Sequence, residues 1–176
     1  MGERFAVIRT MRKVLAVIGT AIFLVLAPGF VAGLVPRWIS RWQFAAPLFG
    51  LAMFRFAGAT LIAIGLAGLL ECFGRFALKG IGTPAPAVFP TRHLVISGMY
   101  RYVRNPMYIA VVAIIFGQAL LFGNVELLEY GVAVWLLFHV WVLIYEEPTL
   151  RSTFGAEYDE FRAKVPRWIP LFKNPR

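Results

Sequence analysis

The chain has 176 residues, 60% of them apolar and only 15% charged, with a mean hydropathy of +0.72; a soluble core of this size needs far less apolar content, so the bilayer is read as its solvent. The formal charge of +9 does not point to nucleic acid, because Lys and Arg flank apolar runs and form no basic stripe interleaved with exposed aromatics. A lone cysteine, Cys72, excludes an internal disulfide and a multi-cysteine metal site, and His93 and His139 lack a second ligand type at metal spacing, so no metal is expected.

Taken in order, the chain opens with Arg4, Arg9, Arg12 and Lys13 and then runs uncharged from Val14 to Val35. That run outlasts the h-region of a signal peptide, so it predicts a retained first transmembrane helix over 14–35, bent near Pro28 and Gly29. Pro36 to Pro47 mixes Arg37, Trp38, Arg41 and Trp42, a headgroup-layer composition. A second span is predicted over 51–70, where Gly58, Gly65 and Gly68, with Ala59, Ala63 and Ala67, offer small surfaces for close helix approach. Its polar end, Glu71 to Lys79, is expected to continue as an interfacial turn. The stretch G-I-G-T-P-A-P-A-V-F-P over Gly80 to Pro90 reads as an extended connector.

The richest stretch follows, R-H-L-V-I-S-G-M-Y-R-Y-V-R-N-P-M-Y from Arg92 to Tyr108. Pro106 suits the first turn of a helix and opens a third span over 106–122. Gly123-Asn124 is a turn signal, and a fourth span over 125–145 returns, giving a helical hairpin. His139 lies inside the return helix and is read as a neutral imidazole bonded across to a neighbouring helix. Pro148 disfavours helical geometry at Glu147, so the return helix is expected to end or kink at the carboxylates Glu146 and Glu147. Beyond, Leu150, Phe154, Tyr158, Phe161 and Val165 recur at helical spacing, which predicts an amphipathic cytoplasmic helical segment within 146–176, broken at Gly155.

With four spans, residues 1–13, 71–106 and 146–176 share one face and hold every Lys and Arg except Arg37, Arg41 and Arg55. The positive-inside rule then places both termini and the Arg92 to Tyr108 stretch in the cytoplasm; the expected setting is a bacterial inner membrane. The hairpin brings Arg104, Asn105 and Tyr108 at one leg to the depth of Glu146 and Glu147 at the other. Singly these are membrane anchors or solvated ends; together they predict a polar site with cationic and anionic groups at an acyl boundary.

The blocks G-M-Y-R-Y-V-R-N-P-M-Y at Gly98 to Tyr108 and E-E-P-x-L-x-x-x-F-G-x-x-Y at Glu146 to Tyr158, ending in V-P-R-W-I-P at Val165 to Pro170, resemble the integral-membrane methyltransferases that include isoprenylcysteine carboxyl methyltransferases and phospholipid methyltransferases. The family's usual R-H-P stands here as Arg104-Asn105-Pro106, and an asparagine cannot serve as a base near neutral pH. The resemblance implies methyl transfer from S-adenosyl-L-methionine, with catalytic roles for Arg104, Asn105 and Glu147. It implies a cofactor site built from Gly98, Tyr100, Arg104, Asn105, Pro106, Tyr108, Glu146, Glu147 and Leu150. In it Arg104 pairs with the cofactor carboxylate, a glutamate accepts from the ammonium or ribose, and tyrosine faces flank the sulfonium.

The expected fold is therefore all-α and integral to the membrane, a single domain of about four transmembrane helices with a C-terminal helical hairpin and a cytoplasmic amphipathic tail. The expected activity is carboxylate O-methylation of a lipid-like or prenylated acceptor drawn from the bilayer, since a carboxylate needs positioning but no base. Phospholipid N-methylation and thiol S-methylation are the alternatives within the class. A non-catalytic scaffold whose basic loops bind anionic lipid is the alternative outside it.

Overall fold

The computed structural model describes residues 26–79 and 96–171, together with Gly19, Ile22 and Leu94. The basic start over 1–13, most of the first half of the predicted first span, the connector Gly80 to Pro90, Arg92, His93 and the last five residues lie outside this set. Among the described residues all regular structure is helical.

The first helix continues through residues 26–29, with Gly29 at φ −64° and ψ −37°. It then widens into a π turn over Phe30–Leu34 and closes as α1, Val35–Ser40. The widened turn begins directly after Gly29 and ends just before Pro36, which accounts for it. A proline inside a helix has no N–H for the carbonyls four and five residues back, and its ring crowds the preceding turn. Those carbonyls belong to Ala32 and Val31, and each is taken by a side chain: Gln118 Nε2 donates to Ala32 O at 2.7 Å and Tyr130 Oη to Val31 O at 2.9 Å. The proline turn thereby fastens the first helix to the hairpin.

Helix α2 spans Met53–Lys79. It passes straight through the predicted interfacial turn, because Glu71 to Lys79 contains no proline and only Gly74 as a weak breaker. It packs against α3, Pro106–Phe122, more extensively than any other pair of helices pack. The approach is set by glycine: a Cβ on Gly58 would stand 2.6 Å from Gly117 O and Leu121 N, and one on Gly117 2.8 Å from Gly58 O. Ala59, Ala63 and Ala67, read with them as one small surface, are instead exposed. At 100° per residue they fall on the opposite side of the helix from the Gly58–Gly65 stripe. Cys72 is fully buried near the lower end of the same interface.

Gly123, at φ +71°, ends α3 in the left-handed conformation, and Asn124 caps α4, Val125–Trp141, by accepting from Leu127 N–H at 2.8 Å. The loop before α2 closes over this turn through Ala45 N–H to Phe122 O at 2.9 Å and Trp42 Nε1 to Gln118 Oε1 at 3.2 Å.

The return helix does not end at Glu146 and Glu147; the irregularity expected at the two carboxylates takes the form of a widened turn. Helix α4 widens into a π turn over Val142–Glu146 and continues as α5, Glu147–Phe154, with Glu147 at φ −62° and ψ −44°. As at Pro36, the wider turn accommodates a ring that an α-helical turn would exclude. The break falls at Gly155 (φ +53°), after which α6, Ala156–Lys164, folds back. Tyr158, Phe161 and Val165 bury against Leu94, Leu150 and Phe154.

Two helical stretches among the described residues, Met53–Arg75 and Val125–Phe154, are long and apolar enough to cross a membrane, and Pro106–Phe122 is a shorter apolar helix. Their outward faces carry Phe56, Ile64, Leu70, Leu137 and Ile144, all exposed, as a lipid-facing exterior requires.

Gly58→Val is expected to destabilise the fold by about 1–3 kcal/mol, since the new methyls meet backbone that cannot yield. Gly74→Ala, whose Cβ meets nothing within 4 Å, should be neutral or stabilising by up to about 1 kcal/mol. Thermal unfolding in detergent, followed by helical circular dichroism, compares them; equal melting would show that close α2–α3 contact does not hold the pair.

Candidate functional site

The stretch before α3 folds as a tight turn over Gly98–Arg101, with Tyr102 N–H and Val103 N–H both returning to Met99 O at 3.0 and 3.2 Å. Gly98 is at φ +62°, a conformation that favours glycine, and it sits against the ends of the Arg75 and Glu71 side chains. The chain then presents Arg104 and Asn105 before Pro106 starts the helix.

The C-terminal segment after α6 runs back along this turn as a strap. Arg104 N–H donates to Pro166 O at 2.9 Å, Leu171 N–H to Tyr102 O at 3.1 Å, and Asn105 Nδ2 to Arg167 O at 3.1 Å. Trp168 Nε1 donates to Nδ1 of His139, whose ring stacks on Trp135. His139 is therefore bonded across to the strap and not to a neighbouring helix.

Two polar clusters result. In the first, Glu147 Oε1 accepts from Arg104 Nη1 at 2.9 Å and Arg167 Nε at 2.6 Å, while its Oε2 accepts from Arg167 Nη2 at 3.0 Å. Arg104 Nη1 also reaches Tyr158 Oη at 3.3 Å. The side chains of Arg104 and Glu147 are only 10% and 11% exposed. Burial, ahead of the charge of Glu147, raises the Tyr158 phenol pKa, so it stays protonated. The hydrogen bond to Glu147 raises the Arg167 pKa. Two guanidinium groups thus face one carboxylate, and Arg104 Nε is buried with no partner. A surplus positive charge and an idle donor in one place suit an anionic group.

In the second cluster Tyr108 Oη donates to Glu146 Oε2 at 2.8 Å and its ring packs on Phe138 at 4.6 Å. Half-buried Tyr100 packs against the same core, and its pKa is pushed up chiefly by burial, with Cys72 and Glu146 as lesser causes. Among the described residues Glu146 Oε1 has no hydrogen-bond partner. A cleft of about 450 Å³ opens beside Glu147, lined also by Leu143, Pro148, Arg151, Ser152 and Arg162.

Of the residues singled out from sequence, Arg104, Asn105 and Glu147 meet in the first cluster, Tyr100, Tyr108 and Glu146 in the second, and buried Pro106 joins the turn to α3. Gly98 lies apart, pressed on Glu71 and Arg75, and Leu150 packs into the apolar patch around Tyr158. Arg167 and the Tyr158 hydroxyl were not singled out, although both stand inside the quoted C-terminal block. Among the described residues no three metal-ligating side chains cluster.

A family model described as phospholipid methyltransferase matches residues 53–157, from the start of α2 into α6. The chain belongs to that family. It is also 39% identical over 79 residues to the protein-S-isoprenylcysteine O-methyltransferase of Schizosaccharomyces pombe, across 44% of this chain and 33% of the relative. The match thus spans about a third of that curated relative's length. No solved structure matches. Arg167 and the strap lie beyond the family-matched residues.

Glu147→Ala would leave two arginines facing each other with no counter-charge, a loss on the order of 3 kcal/mol for a largely buried pair. Arg167→Lys keeps the charge but gives up the two-pronged hold, for about 1 kcal/mol. Denaturant unfolding in micelles ranks the two; equal losses would mean that Glu147 is not shared between both arginines.

Proposed function

We propose that this chain is an S-adenosyl-L-methionine-dependent methyltransferase acting on a lipid-like acceptor in the membrane, most like isoprenylcysteine carboxyl methyltransferase in forming a carboxylate ester. Family membership and the relative's name support the reaction class. The observation that carries the site is the buried Arg104–Glu147–Arg167 cluster, with one cation in excess and an idle Arg104 Nε, beside Glu146 with an uncommitted oxygen.

These groups fit the methyl donor, which when bound supplies an electrophilic methyl on a sulfonium. Arg104 Nε would hold its carboxylate. Glu146, through the oxygen that Tyr108 leaves open, would take the ammonium or a ribose hydroxyl. Glu147, saturated by two arginines, would hold Arg104 in place and leave the direct contact to Glu146. Tyr100 and Tyr108 would offer ring faces to the sulfonium, and the strap over Val165–Leu171 would exclude water.

Asn105 stands where the family usually has histidine, and its amide is engaged with Arg167 O. It therefore holds the strap and moves no proton, which favours an acceptor that needs no base. Phospholipid N-methylation is the second reading, favoured by the family's description; it would use Glu146 Oε1 as the proton acceptor. In either case the proposed setting is four spans over 14–35, 51–70, 106–122 and 125–145, with both termini and residues 146–176 cytoplasmic, in a bacterial inner membrane.

Calorimetric titration of the purified chain with S-adenosyl-L-methionine tests the site. Saturable binding is expected, weakened about tenfold or more in Arg104→Ala and in Glu146→Gln, each of which removes a charge-assisted contact. Unchanged affinity in both variants would remove the assignment of these residues. No binding to the unaltered protein in native lipid would leave the scaffold reading as the better one.

A further inference from the structure

The strap over residues 165–171 has no helix of its own, and two consecutive side chains on it reach in different directions. Arg167 takes Glu147, while Trp168 Nε1 donates to His139 Nδ1 at 2.9 Å. His139 precedes Glu147 by eight residues on the return helix, about 12 Å toward the hydrocarbon. The strap is thus fastened at the polar cluster by one residue and on the membrane side by the next. Pro166 and Pro170 bracket the pair, and their fixed φ leaves little slack between the two grips.

The membrane-side grip differs in kind from the others. An indole N–H only donates, and an imidazole nitrogen accepts only while it carries no proton, so His139 is neutral with its proton on Nε2. A proton on Nδ1 abolishes the bond. The contacts of Pro166 O, Arg167 O and Leu171 N–H with the turn join backbone and amide groups that do not titrate. The rings facing half-buried His139 are Trp135 on its own helix and Trp168 on the strap, with centroids at 5.5 and 5.8 Å. Helix α3 carries no charged residue, and its Tyr108 is bound to Glu146. The charged groups nearest in sequence on the return helix and the strap, Glu146 and Arg167, are directed to Tyr108 and Glu147. Among the described residues His139 forms no ion pair. Trp135 and Trp168 lie at its level and Trp141 two residues on, the indole composition of the membrane surface, where water and protons still reach.

We propose that the Trp168–His139 bond is a proton-sensitive latch on the strap, closed while the imidazole is neutral and released when Nδ1 takes a proton. Ile169 and Leu171, both exposed, give the strap an apolar outer side that suits the bilayer it opens toward. The consequence for catalysis rests on the function proposed above. Release uncovers the two carboxylates on the side from which a lipid-like acceptor arrives and lets the methyl donor exchange; closure excludes water.

Hydrogen–deuterium exchange of the full chain in micelles, without methyl donor, reads the strap directly. Protection of residues 165–171, corrected for the chemical exchange rate, is expected to fall about fivefold between about pH 8 and about pH 5.5, as the loss of one hydrogen bond requires. His139→Asn keeps an acceptor near the position of Nδ1 and cannot titrate, so its strap should be equally protected at both pH values. Any part played by Glu146 survives in that variant and is thereby subtracted. Trp168→Phe keeps a ring and loses the donor, so its strap should be weakly protected at both. The latch is overturned by protection that ignores pH in the unaltered chain, by an undiminished pH response in His139→Asn, or by a Trp168→Phe strap as protected at pH 8 as the unaltered one. The last comparison decides alone where His139→Asn fails to fold. With S-adenosyl-L-methionine added, its dissociation should quicken about fivefold at the lower pH in the unaltered chain and not in His139→Asn. A strap that responds as described in a chain that binds no methyl donor would keep the latch and remove the function proposed above.

Discussion

The Glu147 carboxylate, held between Arg104 and Arg167, is the contact on which the arrangement of the polar end depends. It joins three segments that the helices alone would leave apart: the turn before α3, the continuation of α4 and the C-terminal strap. Two cations and one anion at low exposure make a cluster that is stable only while all three are present. Its hydrogen bonds also explain why the strap lies where it does, since Arg167 brings its backbone carbonyl to Asn105 and Trp168 to His139.

That cluster exists because the helix does not stop at Pro148. An adjacent pair on a helix points its side chains about 100° apart. A helical Glu146–Glu147 therefore sends one carboxylate to Tyr108 and the core and the other to the arginines. A terminus or sharp break at the pair would have let both face water. The π turn over Val142–Glu146 makes this division possible. The π turn before Pro36 uses the same device for another end, releasing carbonyls that Gln118 and Tyr130 occupy. In both places proline marks a point where a helix is tied to its neighbours.

The hairpin was legible because its signals are local: Pro106 at the first turn, Gly123 and Asn124 at the reversal, uninterrupted apolar residues between. The convergence of Arg104 and Asn105 with Glu147 was legible for the same reason, since a hairpin fixes which residues share a depth. The length of α2 was not, because hydropathy marks where a helix is apolar and says little about where it ends; Glu71 to Lys79 remain helical beyond the apolar stretch. Continuity through Pro148 was not legible either, as local preference argues for a break and the widened turn that overrides it has no signature of its own. Arg167 escaped because nothing in the spacing says that the strap returns to the turn. Tyr158 was read for its ring alone, although the side chain that fills the apolar patch also turns its hydroxyl to Arg104.

The substitution of asparagine for the family's usual histidine takes its meaning from this geometry. A histidine at position 105 has a proton to move; the asparagine has an amide N–H that reaches the backbone carbonyl of Arg167, and Arg167 in turn grips Glu147. Position 105 is thus drawn from chemistry into architecture, fixing the strap over the two carboxylates. A site built this way relies on placement and the exclusion of water, and such means suffice for an acceptor already in its anionic form. An acceptor that must first lose a proton would depend on Glu146, whose Oε1 is the uncommitted carboxylate oxygen of the two clusters among the described residues. Under the reading proposed here, that oxygen is where the two acceptor classes part, and the engaged Asn105 weighs toward the acceptor that needs no base.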